Sequence, residues 1–493
     1  MAKPYANVVS RRILKSMQTA VPDQQQIFEQ LLKTGKTLKF GTDHQLNNVD
    51  DYEGFKQAVP IRDYEAFKPY IEHIKAGQVN VLWKGRPIYF AKTSGTTSGV
   101  KYIPITKDSI ANHIDTARNA LLHYMATTGN AAFADGKMIF LSGSPTLERV
   151  GGIPTGRLSG IVNHHIPSYL RKNQLPTFET NCIEDWEDKL GKIVAETFDQ
   201  NMTLISGIPP WVQMYFDWLM KKGEGKKVKD IFPNLQIIVH GGVNFEPYKE
   251  KLFNSLGKKV DTLETFPASE GFFAFQDSRH EEGLLLNTNS GIFFEFIPAE
   301  EIFNENPTRL SLGEVRTGVN YALVINSNAG LWGYNIGDTV RFVSLNPYRI
   351  VVTGRTKHFI SAFGEHVIGE EVEQALKETL EQFPAKVTEF TVAPQVRAQQ
   401  GELPYHEWLI EFEQAPESID AFAQYLDKTL RGKNTYYNDL ISGSILHPLR
   451  ITLLQPGAFR GYMKAIGKLG GQNKTPRLGN NRDIAEGLQA YRL

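Results

Sequence analysis

The chain has a single cysteine, Cys182, among 493 residues. No disulfide can close within it, and neither a cysteine-based zinc spacing nor a thiol redox pair is available, which suits a reducing cytoplasm. Net charge is missing as well. The 54 lysines and arginines balance 54 aspartates and glutamates, so no overall field draws the molecule to nucleic acid or an anionic membrane. Any anion must be held by a local site. No apolar run approaches the roughly 18 residues that span a bilayer, and the longest stretches, such as LQIIVHGGV, have strand length. The opening segment MAKPYANVVSRRILKSMQTAVPDQQQ breaks every apolar stretch with lysine or arginine. A secretory signal does not tolerate that pattern, and it predicts an amphipathic helix instead. There is no internal repeat and no low-complexity tract.

What is present is the composition of an ordinary globular protein, 41% hydrophobic and 22% charged, long enough for more than one domain. Strands and helices alternate after the N-terminal helical segment, the pattern of an α/β architecture. KMIFLS, TLISG and LQIIVHGG read as short buried strands, and PPWVQMYFDWLMKKG as a helix with Pro209 and Pro210 in its first turn and Gly223 at its end. From about residue 284, GIFFEFIP, YALVINS, TVRFVS and RIVVTG are strands separated by turns, which predicts an antiparallel, barrel-like subdomain. After GRTKHFISAFGEHV the pattern changes again. Val372, Ala375, Leu376, Leu380 and Phe383 share one helical face, and strands TEFTVAP, EWLIEF and LRITLL with the helix IDAFAQYLDKTLR complete a small α+β domain. The expected division is a large domain over residues 1–358 and a small one over 359–493. Glycines near the junction permit rotation.

Several short stretches carry possible chemistry. Every residue from Thr93 to Gly99 is threonine, serine or glycine, and Lys101 follows. Successive amides and hydroxyls there can cradle an anion, although such clusters usually mark plain loops. The spacing is not that of the ordinary P-loop. TFPASEG places Glu270 at a turn after a strand; a carboxylate there is a hard-oxygen ligand for Mg²⁺, or a solvated turn residue. In GLWGYNIGDTVRF, Asp338 follows a glycine and can accept from two ribose hydroxyls, or serve as a turn aspartate. Arg355 follows a glycine in VVTGRTKHF, where its fork can reach ribose or phosphate. Lys474 lies in the glycine- and asparagine-rich KLGGQNKTPRLGNN, where it is either a solvated lysine or a mobile positive charge. His164 and His165 are adjacent and cannot readily chelate one metal. No G-x-S-x-G elbow is present.

Taken in order, TSGTTSGVK, TFPASEG, YNIGDTVRF, GRTKHF and QNKTPR resemble the adenylate-forming enzymes, most specifically the Gretchen Hagen family of auxin-responsive acyl acid amido synthetases. The likeness runs through nearly the whole chain, and KTPR distinguishes it from ordinary acyl-CoA synthetases. The resemblance implies an ATP- and Mg²⁺-dependent ligase that forms an acyl-adenylate from a carboxylic acid and passes the acyl group to an amino acid. It further implies that Thr93, Ser94, Gly95, Thr96, Thr97, Ser98, Gly99 and Lys101 hold phosphates, and that Phe266, Pro267, Ala268 and Ser269 line the adenylate. Glu270 would ligate Mg²⁺, Asp338 and Arg355 would meet the ribose, and Lys474 would neutralise charge during adenylation. The sequence departs from the plant members at Phe266, where they usually carry tyrosine, and at Ala268, where they often carry serine. Arg118, Trp211, Met214 and Tyr215 are candidate walls of an acyl pocket. The expected partners are small molecules only, with neither nucleic acid nor membrane, and the expected state is a cytoplasmic monomer.

Overall fold

In the computed structural model, the residues described are 2–96, 99–166, 171–242, 245–302, 304–356, 359–360, 362–365, 367–396, 402–466 and 477–493. They divide into two compact units, Met1–Gly242 with Lys251–Thr356, and Val243–Glu250 with Lys357–Leu493.

The first unit is built on two sheets. A four-stranded sheet runs in the order β2-β1-β5-β4, formed by β1 (Tyr89–Thr96), β2 (Gly99–Ile105), β4 (Glu148–Val150) and β5 (Ile153–Gly156). The larger sheet takes β3 (Lys137–Phe140), β6 (Gln174–Leu175), β7 (Met202–Ser206), β8 (Ile237–Gly241), β9 (Asp261–Ala268), β10 (Gly271–Phe275) and β11 (Leu284–Leu286). It continues through β12 (Ile292–Pro298), β13 (Asn320–Ser327), β14 (Tyr334–Leu345) and β15 (Tyr348–Arg355). Its order is β12-β13-β14-β15-β11-β10-β9-β8-β7-β3-β6.

Pairings from β6 to β9 are parallel, and all those from β9 to β12 are antiparallel. The parallel half consists of short apolar runs such as MTLI in β7, buried throughout, as strands covered on both faces require. The strands expected to form a barrel-like subdomain are present and antiparallel. They do not close on themselves, because β10 and β11 join them edge to edge to the parallel strands. β12 is left as an edge, and an uncovered edge is a template for aggregation. The helix Ala20–Gly35 covers it. Gln24 donates to Ile292 O at 2.8 Å and accepts from Phe294 N at 2.8 Å, while Phe28 packs on Phe293 with ring centres 5.0 Å apart. Burying that phenylalanine, 3% exposed, contributes about 1.5–3 kcal/mol.

In the second unit, β16 (Phe359–Ile360) pairs with β17 (Val367–Ile368), and β18 (Lys386–Gln395), β19 (Tyr405–Gln414) and β20 (Arg450–Leu454) form a three-stranded sheet. β18 and β19 are antiparallel, whereas β19 and β20 are parallel. A parallel pair needs a crossover, and the helix Ile419–Lys433 lies in that connection. Of the expected helical face, Val372, Ala375 and Leu376 are buried and Leu380 half-buried on the helix Gly369–Gln382, and Phe383, half-buried, lies just past its end.

Candidate active site

The described residues of the hydroxyl- and glycine-rich stretch lie on the two paired strands of a β-hairpin rather than in a free loop. Thr93 pairs with Lys101 and Thr96 with Gly99, with an irregularity between them. Thr97 and Ser98 lie outside the described residues; Ser94, Gly95, Thr96 and Gly99 are placed by their backbone. Below the tip, buried Phe90 and Ala91 pair in parallel with Thr155 and Gly156 of β5, which fixes the hairpin's base. On the second strand, Tyr102 N donates to the Tyr64 hydroxyl at 2.8 Å. Tyr64 is the first residue of the helix Tyr64–Lys75, whose N-terminus is capped by Asp63.

The second stretch lies where the large sheet changes character. β9 is its last parallel strand and begins the antiparallel half. The antiparallel half starts with the tight hairpin from β9 to β10. Ser269 and Glu270 form the turn there, between paired Ala268 and Gly271. Phe266 is 7% exposed, its ring edge-on to Phe273 at 5.2 Å, so its outward-facing area is small. Pro267, Ala268, Ser269 and Glu270 are each half-buried. Asn112, on the helix Ile110–Thr128, secures the far side of the turn. It accepts from Phe272 N at 2.6 Å and donates to Phe272 O at 3.2 Å and Ser290 Oγ at 2.8 Å.

The third stretch comes alongside. Tyr334, fully buried, donates to Glu270 Oε1 at 3.4 Å. Three residues later Gly337 adopts φ +89°, and β14 bulges between the pairs Asn335–Val324 and Thr339–Ala322. Bulges re-aim side chains next to functional sites. Asp338 sits in this bulge, half-buried, opposite Arg355 in the ladder to β15. Thr356 N closes the turn onto Gly337 O at 2.8 Å. Burial, helped by the neighbouring Glu270 charge, holds the Tyr334 phenol well above its ordinary range, and burial pushes Tyr64 up to about 12. Both phenols therefore stay protonated at neutral pH. The structure thus links the hairpin strand β2 to Tyr64, the nearby Arg62 to Tyr334 through a backbone bridge, and Tyr334 to Glu270.

The four acyl-pocket candidates are not drawn together in the same way. Arg118 pairs with Asp115 at 3.0 Å and donates to Asn119 at 3.3 Å on its own helix. Trp211, Met214 and Tyr215 lie on the helix Pro209–Lys222 and are 8%, 1% and 0% exposed. The Tyr215 hydroxyl donates to Thr197 Oγ1 at 2.6 Å, and its ring stacks on Phe232 at 6.3 Å. Tyr215 is therefore a core residue rather than a pocket wall: the apolar pattern that suggested a pocket is the pattern of a helix buried against its neighbours. His164 bonds Pro145 O at 2.7 Å and His165 the Tyr89 hydroxyl at 3.2 Å, so the two histidines serve different partners. Lys474 and Lys468 lie outside the described residues.

Tyr64, Asn112 and Tyr334 went unnoticed in the sequence. Tyr334 stands four residues before Asp338 in GLWGYNIGD, where an aromatic beside a glycine can mark a side chain anchored at a turn. Asn112 offers no local sign, because its partner is 160 residues away. Among the described residues, no group of three or more His, Cys, Asp or Glu could hold a metal, and no helix is long and apolar enough to cross a membrane.

Comparison with known proteins identifies the family. Residues 9–190 match the GH3 family N-terminal domain, 285–355 the GH3 family central domain and 370–483 the GH3 family C-terminal domain. The chain is 22% identical over 385 residues to jasmonoyl–L-amino acid synthetase JAR4 of Nicotiana attenuata, covering 64% of this chain and 66% of that one. It is 23% identical over 542 residues to jasmonoyl–L-amino acid synthetase GH3.5 of Oryza sativa subsp. japonica, covering 93% and 92%. The solved AtGH3.15 acyl acid amido synthetase in complex with 2,4-DB shares the fold with a TM-score of 0.61 at 16% identity, over 98% of this chain and 96% of that one. With all three domains of the family present in order, the chain belongs to the GH3 family.

Proposed function

We propose that this chain is an ATP-dependent acyl acid amido synthetase, joining a carboxylic acid to an amino acid through an acyl-adenylate. The observation that carries the reading is the convergence, in one family framework, of the Thr93–Lys101 hairpin, the Glu270 turn and the Asp338 bulge around the switch in the large sheet. The acid's carboxylate oxygen attacks the α-phosphate of ATP and pyrophosphate leaves. An amine then attacks the activated carbonyl, AMP leaves with the C–O electron pair, and the amine's proton passes to solvent or a base.

Amides and hydroxyls of the hairpin tip, with Lys101, hold the phosphates. Phe266 to Ser269 line the adenosine, Asp338 accepts from the ribose hydroxyls, and Arg355 assists there. Glu270 is the residue that would hold Mg²⁺. A half-buried carboxylate fits that ion, which takes one or two carboxylates and completes its shell with phosphate oxygens and water. When bound, the ion neutralises charge on the leaving pyrophosphate. Lys474 stabilises the charge that develops during adenylation. The reading places the enzyme in the cytoplasm, as a monomer acting on small molecules.

Incubation with ATP, Mg²⁺ and a panel of acids, following pyrophosphate release and product mass with amino acids or coenzyme A as acceptor, tests this. Amide formation is expected; thioester formation would make it an acyl-CoA ligase, and no pyrophosphate with any acid would leave a nucleotide-binding protein. Within the reaction, Lys474→Ala is expected to slow single-turnover adenylation by about 10²- to 10³-fold, the loss typical of one preorganised donor, with ATP affinity little changed. Lys468→Ala is expected to do much less. Equal rates for Lys474→Ala and wild type would remove that lysine from the chemistry.

A further inference from the structure

Tyr334 has a buried hydroxyl at a place where phenylalanine would fill the same space. Its ring packs edge-on against Phe67 at 5.4 Å, and its hydroxyl is directed to Glu270 Oε1. Withdrawing a hydroxyl from water costs free energy unless a partner compensates. The partner here is the carboxylate at the turn of the candidate site.

The main chain that aims this phenol is unusually constrained. Gly333 adopts φ +57°, and a Cβ on it would fall 2.6 Å from Pro60 O, so only glycine fits. Its N–H donates to Asn326 Oδ1 at 2.7 Å and its carbonyl accepts from Arg62 N at 2.8 Å, while Asn335 N donates to Arg62 O at 2.8 Å. Asn326 in turn donates to Glu295 Oε2 at 2.7 Å, and Glu295 receives both Nε and Nη2 of Arg309 at 2.9 Å. Arg309 also donates to the carbonyls of Lys56 and Val59. A fully buried ionic node therefore fixes Asn326, Asn326 fixes Gly333, and the next residue is Tyr334.

We propose that Tyr334 is a positioning residue for Glu270, its hydroxyl holding the carboxylate in one orientation by way of this buried chain. The proposal rests on the reading of Glu270 as the residue that meets the nucleotide-bound metal. Groups that orient a metal-binding side chain typically govern metal affinity by 10- to 100-fold.

The test is the Mg²⁺ concentration for half-maximal pyrophosphate release, paired with calorimetric binding of ATP at fixed low and high Mg²⁺, a readout that needs no turnover. Tyr334→Phe is expected to raise the Mg²⁺ requirement about ten-fold, to weaken ATP binding at low but not high Mg²⁺, and to leave the urea midpoint near wild type. In a Glu270→Gln background the same substitution is expected to add nothing. If Tyr334→Phe does not fold, Phe67→Leu, which loosens the ring and keeps the hydroxyl, is expected to shift the Mg²⁺ requirement the same way by a smaller factor. Losses that add in the double variant overturn the proposal. So does a normal Mg²⁺ requirement for Tyr334→Phe, or for Phe67→Leu where that variant stands in, while Glu270→Gln is impaired; the reading of Glu270 then stands. A Glu270→Gln enzyme with wild-type Mg²⁺ dependence removes that reading and the proposal together.

Discussion

Two glutamates of the first unit are each met by a tyrosine hydroxyl, Glu295 by Tyr52 at 2.9 Å and Glu270 by Tyr334 at 3.4 Å. What surrounds the pairs differs. Glu295 is 0% exposed and receives both arms of Arg309 and the amide of Asn326. The charge of its carboxylate is balanced and its oxygens satisfied, as a buried carboxylate must be. Glu270 is half-buried at a two-residue turn. The same glutamate–tyrosine pair forms a closed structural node in one place and, in the other, a half-buried carboxylate at the turn between two strands. Asn326 links the two, touching Glu295 with one end of its amide and Gly333 with the other.

The comparison breaks first at the closed node. Arg309→Ala leaves Glu295 buried without its counter-charge, a loss that typically costs 3–5 kcal/mol. A large drop in urea midpoint is expected, with activity in the remaining folded protein impaired through Asn326 and Gly333. A small stability change would mean that Glu295 is not the closed node described.

Glu270→Gln is expected to behave in the opposite way. It keeps the size and removes the charge, so adenylation is expected to slow by roughly 10²-fold, in the range for loss of a preorganised electrostatic group, with partial rescue by excess Mg²⁺ and almost no shift in urea midpoint. Single-turnover pyrophosphate release across a Mg²⁺ series measures it.

How much of this the sequence reveals follows from the range of each interaction. The α/β class and the small second domain are legible because hydrophobic periodicity and punctuation by glycine and proline are local: the helix Pro209–Lys222 begins and ends where its prolines and Gly223 indicate. That the later antiparallel strands continue the parallel sheet is not legible, since it depends on pairings such as Leu284 with Ile350. Glu270 and Asp338 stand out because turns and glycines flank them. Tyr64, Asn112 and Asn326 do not, because each acts on a partner that is distant in the chain. Tyr215 misleads because a buried helix face and a pocket wall have the same composition.

Asp338→Ala sharpens the contrast among site carboxylates. A contact to ribose persists from bound ATP to the transition state and so acts as uniform binding. The expected result is a KM for ATP raised about ten-fold, the loss of a hydrogen bond to a charged group, with kcat little changed. A collapsed kcat at unchanged KM would overturn the ribose role.

The smallest effect belongs to Tyr52→Phe, the counterpart at the closed node of the substitution proposed for Tyr334. It removes one hydroxyl from Glu295, which keeps Arg309 and Asn326. Burial and the adjacent Glu295 hold the Tyr52 phenol well above its ordinary range, so the hydroxyl acts only as a neutral donor. The loss of such a bond, with the acceptor still paired, costs about 1–2 kcal/mol. A modest fall in urea midpoint is therefore expected, while the Mg²⁺ requirement and the KM for ATP stay at wild-type values, because Asn326 still holds Gly333 through its carbonyl oxygen. If Tyr52→Phe moves the Mg²⁺ requirement as far as a change at Glu270 does, Arg309 and Asn326 do not by themselves hold the chain that leads to Gly333, and the Tyr52 hydroxyl belongs with them in positioning Tyr334.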